Sequence, residues 1–80
     1  MSFRDWAYAP GTRPDILELI DELGEAAFFR LVATVKNGWT PAGPTDVLKF
    51  AVLDHYLLRF ERSSRDPGLL ILTKVWRRPR

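Results

Sequence analysis

The sequence predicts a small α+β domain in which an αα-hairpin packs on a small antiparallel sheet. Three observations support this fold class. Apolar residues recur at helical spacing in two consecutive segments of the first half. Short segments rich in β-branched and aromatic residues, bounded by turn residues, fill the second half. A chain of 80 residues has room for one hydrophobic core, so we treat 1–80 as a single domain.

The first element is a short strand over residues 3–9, which a Pro-Gly pair ends. A helix follows, with Thr12 as the expected N-cap and Gly24 as the residue that ends it. Its apolar stripe follows the helical spacing at Ile16, Leu19, Ile20 and Leu23. The acids of this region are predicted to form a solvated face, and they are Glu18, Asp21, Glu22 and Glu25.

A second helix repeats the same spacing directly after Gly24. Its apolar residues are Phe28, Leu31, Val32 and Val35. Asn37 and Gly38 predict a left-handed end, and one glycine between the helices predicts a tight hairpin. Two prolines and a glycine then make 39–44 an irregular loop. We expect Trp39 to close one end of the core.

Residues 45–62 fit two structures. Alternation around Tyr56, Leu58 and Phe60 predicts two strands joined by a turn at Asp54 and His55. Helical spacing and a capping threonine are also present, and they predict a third helix at 45–62 in a mostly helical fold. The turn at 63–68 and the strand at 69–76 are unambiguous. With strands at 45–62, the element order is β-α-α-β-β-β.

The composition excludes several classes of function. The chain has no cysteine, so it has no disulfide, thiolate nucleophile or thiolate metal site. Its single histidine, His55, lacks the partners of a histidine metal site, and no cofactor motif is present, so we expect neither metal nor cofactor. No apolar run reaches membrane-spanning length, and the first residues do not resemble a signal peptide. We expect a cytoplasmic protein that does not enter membranes.

Charge is distributed unevenly along the chain. Residues 1–44 contain four basic and six acidic residues, for a net charge of −2. Residues 45–80 contain eight basic and four acidic residues, for a net charge of +4. The last acid is Asp66, so the C-terminal end is purely basic. This asymmetry predicts an anionic partner for the second half, either nucleic acid or an acidic protein surface.

The basic group near the C-terminus is the candidate binding site. Arginine binds phosphate through two parallel hydrogen bonds, and a tryptophan among cations can stack on a base. The predicted site residues are Arg59, Arg62, Lys74, Trp76, Arg77, Arg78 and Arg80. The alternative is that they form only a soluble charged surface. No catalytic residue is assigned, because a lone histidine such as His55 is more typical of a turn than of an active site.

The element order resembles the RelE/ParE/HigB-type toxin superfamily of bacterial toxin–antitoxin modules. Three stretches are similar: FRDWAYAPGTRPDILELI, LKFAVLDHYLLRFER and LLILTKVWRRPR. The resemblance implies messenger RNA cleavage on the ribosome or inhibition of gyrase, with a cognate antitoxin as a further partner. It also implies RNA contacts by Arg59, Arg62, Lys74, Arg77 and Arg78. The C-terminal histidine or tyrosine of RelE-like members is missing, because neither residue follows Trp76.

Three hypotheses about function follow. The first is a toxin-like domain that binds an anionic macromolecule, namely RNA, the ribosome or a gyrase-type protein, through a basic C-terminal sheet edge. The second is a protein-binding inhibitor or phage-type accessory module without enzymatic activity. The third is a small helical DNA-binding domain, which requires the helix at 45–62.

Overall fold

Two helices cover one side of a four-stranded sheet in the computed structural model, which describes residues 3–79. The predicted α+β class and the order β-α-α-β-β-β are confirmed. A single 3-10 turn at Pro10–Thr12 separates the first strand from the first helix. The elements are β1 (Asp5–Tyr8), α1 (Arg13–Leu23), α2 (Glu25–Gly38), β2 (Leu48–Leu53), β3 (Tyr56–Arg62) and β4 (Leu69–Arg77).

The helix ends differ in part from the expected caps. Gly24 separates α1 from α2 with φ 91°, a backbone conformation that favours glycine. Thr12 occupies the N-cap position of α1, but its hydroxyl donates to the carbonyl of Ala9 at 2.7 Å and caps no helical N–H. The left-handed end predicted at Asn37 and Gly38 is wrong. Helix α2 runs through Gly38, and the buried Trp39 follows with extended backbone.

Residues 48–62 form a hairpin of β2 and β3, so the third helix and the mostly helical fold are wrong. The physical reason is the period of burial. Tyr56, Leu58 and Phe60 are each at most 1 % exposed, whereas the residues between them are only half-buried. A period of two places these side chains on one side of a strand, where a helix would have spread them around its axis. Asp54, with φ 52°, forms the two-residue turn with His55.

The sheet order is β1-β4-β3-β2. Strands β2, β3 and β4 form an antiparallel meander, in line with the antiparallel sheet that the sequence predicts. Strand β1 pairs with β4 in parallel, so the sheet is mixed and not wholly antiparallel. The end of α2 returns the chain beside the start of β1, where the N–H of Phe3 donates to the carbonyl of Lys36 at 3.1 Å. Alternation shows where strands lie, but it does not show which strands pair.

The core lies between the helices and one side of the sheet. Helix α1 contributes Ile16 and Leu19, and α2 contributes Phe28, Val32 and Val35. Phe3 and Trp39 close one end with their ring centroids 5.3 Å apart, as expected for Trp39. The sheet contributes Tyr56, Leu58, Phe60, Leu70, Leu72 and Val75. Within residues 3–79, neither helix has the length and apolar character needed to cross a bilayer.

Candidate binding surface

The side of the sheet that faces away from the helices is called the open face below. Side chains alternate between the two sides of a strand, and the register shows which of them are neighbours across strands. Phe50 lies opposite Arg59, and Leu57 lies between Val52 and Trp76. In β2, β3 and β4, the open face consists of Leu48, Phe50, Val52, Leu57, Arg59, Glu61, Ile71, Thr73, Lys74 and Trp76.

Strand β2 contributes an apolar row to the open face. Leu48, Phe50 and Val52 are 44 %, 52 % and 54 % exposed. They are exposed because β2 is the last strand of the sheet and the helices lie on its other side. Scattered exposed apolar residues are ordinary, but a contiguous apolar row is typical of an interaction surface.

An aromatic and cationic group lies beside this row. The rings of Phe50 and Trp76 are nearly parallel, at 26°, with centroids 6.3 Å apart. The guanidinium carbon of Arg59 lies 5.8 Å from the Trp76 ring centroid, within cation–π range. Arg59 also approaches the carboxylate of Glu61 at 3.6 Å. These contacts hold flat aromatic surface and positive charge side by side.

A β-bulge in β4 adds a second cation to this group. Arg59 pairs with Lys74, whereas the next residue, Phe60, pairs with Leu72, so Thr73 is the extra residue. Thr73 accepts a hydrogen bond from Nε of Arg59 at 2.9 Å, which fixes the guanidinium. Lys74 is exposed, and within residues 3–79 it forms no salt bridge. The bulge therefore aims an uncompensated positive charge away from the sheet.

An open cleft of about 910 Å³ lies at one end of the open face. Val47, Arg65 and Ile71 are among its lining residues. Arg62 also lines the cleft, and its guanidinium donates to the carbonyls of Gly43 and Pro44 at 3.2 and 3.1 Å. These hydrogen bonds fix the loop before β2. Neutral carbonyls do not cancel the charge of Arg62, so Arg62 and Arg65 outweigh Glu61, the acid that also lines the cleft.

The structure divides the predicted basic site between two regions. Arg59, Lys74 and Trp76 lie together on the open face, with Arg62 at its end. Arg77 points to the helix side, where its guanidinium nitrogens lie 3.0 Å from Glu18 and 3.8 Å from Glu22. Arg78 donates to the carbonyl of Asp54 at 3.1 Å. Arg80 lies outside the described residues.

A polar cluster lies at the turn between β2 and β3. Nε2 of His55 is 3.0 Å from a carboxylate oxygen of Glu22, and Nδ1 is 2.9 Å from Asp54. His55 is only 7 % exposed. General acid–base catalysis needs a ring nitrogen directed at substrate, and both nitrogens here face carboxylates of the chain. The contacts instead connect the turn to α1.

Tyr56 joins the same cluster from β3. Its hydroxyl donates to Glu22 at 2.6 Å. This hydrogen bond to a carboxylate, together with burial and the negative charge of Glu22, raises the pKa of Tyr56 to about 12. Tyr56 is therefore neutral at physiological pH and serves as a packing and hydrogen-bonding residue.

Two features escaped the sequence-based predictions. Glu22 was expected on a solvated helix face, but it contacts His55, Tyr56 and Arg77 and connects α1 to the sheet. No local pattern marks this role, because its partners are more than 30 residues away along the chain. The second is the apolar row of β2, whose signal was the alternation of Leu48, Phe50 and Val52.

The open face carries side chains of the kinds that interaction surfaces contain. Among residues 3–79, no group of histidine, cysteine and carboxylate side chains has an arrangement that could hold a metal ion. The open face combines apolar, aromatic and cationic side chains, which can bury a partner and attract negative charge.

Comparison of the chain with protein-family models, curated proteins and solved structures finds no match.

Proposed function

We propose that the chain is a binding module that docks an acidic, partly apolar segment of another protein on the open face of its sheet. The observation that carries this proposal is the uncovered apolar row of β2, which lies directly beside Arg59 on β3, with Lys74 opposite Arg59 on the next strand. A partner that covers the row gains hydrophobic burial, and a partner with carboxylates gains attraction to the two cations.

Charge supports an acidic partner. Strands β2, β3 and β4 contain one acid, Glu61, which lies next to Arg59. Their basic residues are Lys49, Arg59, Arg62, Lys74 and Arg77. The acids of the folded body concentrate instead on α1 and at the start of α2. The sheet and the helices therefore present opposite charges, and an anionic segment is steered to the sheet.

The surface favours a protein over a nucleic acid. Leu48 and Val52 can bury apolar side chains, but they neither stack on bases nor bind phosphates. Arg77, a predicted RNA contact, is paired with Glu18 and faces the helix side. The cations left on the open face are too few for an extended phosphate backbone, but they suit a short acidic segment.

A toxin-like role is a narrower form of this proposal. In that role, the open face would hold the protein target or the cognate antitoxin in the cytoplasm. It is supported only by the element order, the basic second half and the absence of cysteine.

Single-stranded RNA is the second candidate ligand. It is favoured by one observation, the exposed Phe50–Trp76 pair with Arg59 over the Trp76 ring. Proteins that bind single strands use such aromatic platforms for base stacking, with arginines nearby.

The test is a selection of displayed random peptides, about a dozen residues long, on the immobilised protein. We expect enrichment of peptides that combine Asp or Glu with Val, Ile or Leu. Their affinity should fall about tenfold or more in Lys74→Glu or Val52→Ser, because each change removes charge attraction or apolar burial. The same titrations with a fluorescent oligouridine, between about 50 mM and 200 mM salt, measure the RNA alternative.

Two control variants lie away from the open face. Arg30→Glu reverses a charge on the exposed side of α2, and Leu17→Ser removes an apolar side chain that is 52 % exposed on α1. Both should bind the selected peptides as the wild type does. Selected peptides whose affinity is unchanged in Lys74→Glu and Val52→Ser but falls in the control variants would contradict the proposal. Tight oligouridine binding without peptide enrichment would replace it with the RNA candidate.

A further inference from the structure

The outer edge of β2 carries backbone groups that the sheet does not use. The N–H of Arg62 donates to the carbonyl of Val47 at 2.9 Å, which makes 47 and 62 a hydrogen-bonded pair. In an antiparallel ladder such pairs alternate, so residues 49, 51 and 53 point their backbone groups at β3. Those of Leu48, Phe50 and Val52 point outward. Within residues 3–79, no backbone hydrogen bond beyond the strand ladders involves these three residues.

Along this edge, apolar side chains lie on one side of the strand and a charged side chain lies on the other. The residues with outward backbone groups are the apolar row on the open face. Lys49 lies between two of them on the helix side of the strand, where it is exposed and forms no salt bridge within the described residues. The strand contains no proline and no bulge, and its one charge, Lys49, opposes pairing with another basic strand but not with an acidic one.

We propose that the partner segment binds as an added strand, antiparallel to β2, and so extends the sheet. This inference rests on the proposed function and specifies its mode: the acid of the segment pairs with Lys49, while Arg59 and Lys74 attract the segment at longer range. Segment residues opposite Leu48, Phe50 and Val52 are apolar and continue the open face, since paired residues share a side of the sheet. The residue opposite Lys49 is acidic. The recognised pattern is therefore apolar, any, apolar, acidic, apolar, with backbone hydrogen bonds for affinity and side chains for specificity.

Charge complementarity selects this occupant over a second copy of the chain. If two copies paired through β2 about Phe50, Lys49 would lie opposite Ala51 of the other copy and would gain no carboxylate. The positively charged sheets would also be joined edge to edge. A nucleic acid has no peptide groups to pair with the edge. An acidic extended segment satisfies the backbone groups, the apolar row and Lys49 together.

The experiment uses the synthetic peptide acetyl-SVTVEVS-amide and amide hydrogen exchange followed by NMR. In the protein alone, the amides of Leu48, Phe50 and Val52 should exchange fast, because they point to solvent. Saturating peptide should slow their exchange about tenfold or more, because each amide gains a backbone acceptor. The amides of Lys49 and Ala51 already bond to β3 and should change little.

Two pairs of variants make the test specific. Val52→Pro removes an outward N–H at a position where an edge strand tolerates proline, and should weaken binding more than its control Val52→Thr, which keeps the N–H and the side-chain shape. Lys49→Glu should weaken binding of the acidic probe and restore binding of acetyl-SVTVKVS-amide. If Lys49→Glu gives the spectrum of a folded protein but does not bind the charge-swapped peptide, the pairing of the segment's acid with Lys49 is overturned.

The outcomes separate the two proposals. Peptide-induced shifts on the open face without protection of the three amides would overturn strand addition and leave the proposed function intact. If, without peptide, the three amides become protected as the protein concentration rises, the edge of β2 pairs with a second copy of the chain and strand addition by a partner segment is overturned. If neither this probe nor any peptide selected by display shifts the open face, both proposals fail.

Discussion

Single residues at the turn between β2 and β3 connect the sheet to the helices. Glu22 accepts a hydrogen bond from Tyr56 and lies within ion-pair distance of His55 and Arg77. A buried hydroxyl that donates to a carboxylate contributes more than a neutral pair does, because charge strengthens the bond. This cluster sets the position of the turn, and with it the direction of the edge strand β2.

Removal of the Tyr56 hydroxyl tests this connection. We expect Tyr56→Phe to lower the free energy of unfolding at neutral pH by about 1–3 kcal/mol, since a hydrogen bond to a charged group is lost. Urea unfolding followed by circular dichroism measures the change. Tyr8→Phe is the control, because Tyr8 is 42 % exposed, and it should have little effect.

The same tyrosine predicts an alkaline limit of stability. Its pKa is raised to about 12 from 10.0, so the folded state favours the neutral form. The stabilisation of the fold by the Tyr56 hydroxyl is fully present below pH 10 and is lost as the pH rises from about 10 to 12. Wild type and Tyr8→Phe should therefore lose stability more steeply across this interval than Tyr56→Phe. If stability falls with pH equally in all three proteins, the alkaline loss of stability does not come from Tyr56.

The tight junction of the helices depends on one glycine. Gly24 has φ 91° and ψ 147°, a conformation that residues with a Cβ rarely adopt. Gly24→Ala should destabilise the fold by about 1–3 kcal/mol. Gly38→Ala is the matched control, because a Cβ there meets no atom within 4 Å and the residue is helical. Alanine should be neutral there or should stabilise by up to about 1 kcal/mol. Thermal unfolding of both variants distinguishes these expectations.

At the scale of elements, β1 is tied to the loop between β3 and β4 as well as to β4. The guanidinium of Arg4 donates to the carboxylate of Asp66, and the N–H of Arg4 donates to the carbonyl of Gly68 at 2.8 Å. The bond to Arg4, followed by one from the N–H of Gly68, lowers the pKa of Asp66. These contacts give the short β1 a second anchor at its start.

This anchor predicts an acid-sensitive contribution to stability. Because the pKa of Asp66 is lowered in the folded state, its contribution is present above the ordinary value of 3.8 and is lost as the pH falls through the folded-state value. Asp66→Asn should therefore unfold at lower urea than wild type at pH 7, and the two midpoints should converge in acid. Asp21→Asn, on the exposed side of α1, should track the wild type. A constant difference at every pH would disprove the pairing.

The elements themselves could largely be predicted from the sequence. Helical spacing located α1 and α2, and the alternation around Tyr56 located β3, because both patterns reflect local burial. The bulge at Thr73 and the parallel pairing of β1 with β4 could not be predicted, since they depend on contacts between distant segments. The candidate site could likewise be predicted only in part. The sequence identified the basic residues, but only the fold shows that Arg59 and Lys74 face one way and Arg77 the other.

At the scale of the whole molecule, folding converts a charge imbalance along the chain into two opposite surfaces. The acids of α1 neutralise Arg77, whereas on the open face Arg59 approaches Glu61 and Lys74 keeps its charge near an uncovered apolar row. The central claim is that a partner binds this face, and not the helices or the basic C-terminal end.

An NMR map of the amide shifts caused by a display-selected acidic peptide tests this claim most directly. We predict that the shifts concentrate at residues 48–52, 57–61 and 71–76. They should fade as salt rises, because charge attraction contributes to the affinity. Shifts confined to α1 and α2, or to Arg77 and Arg78, would contradict the account.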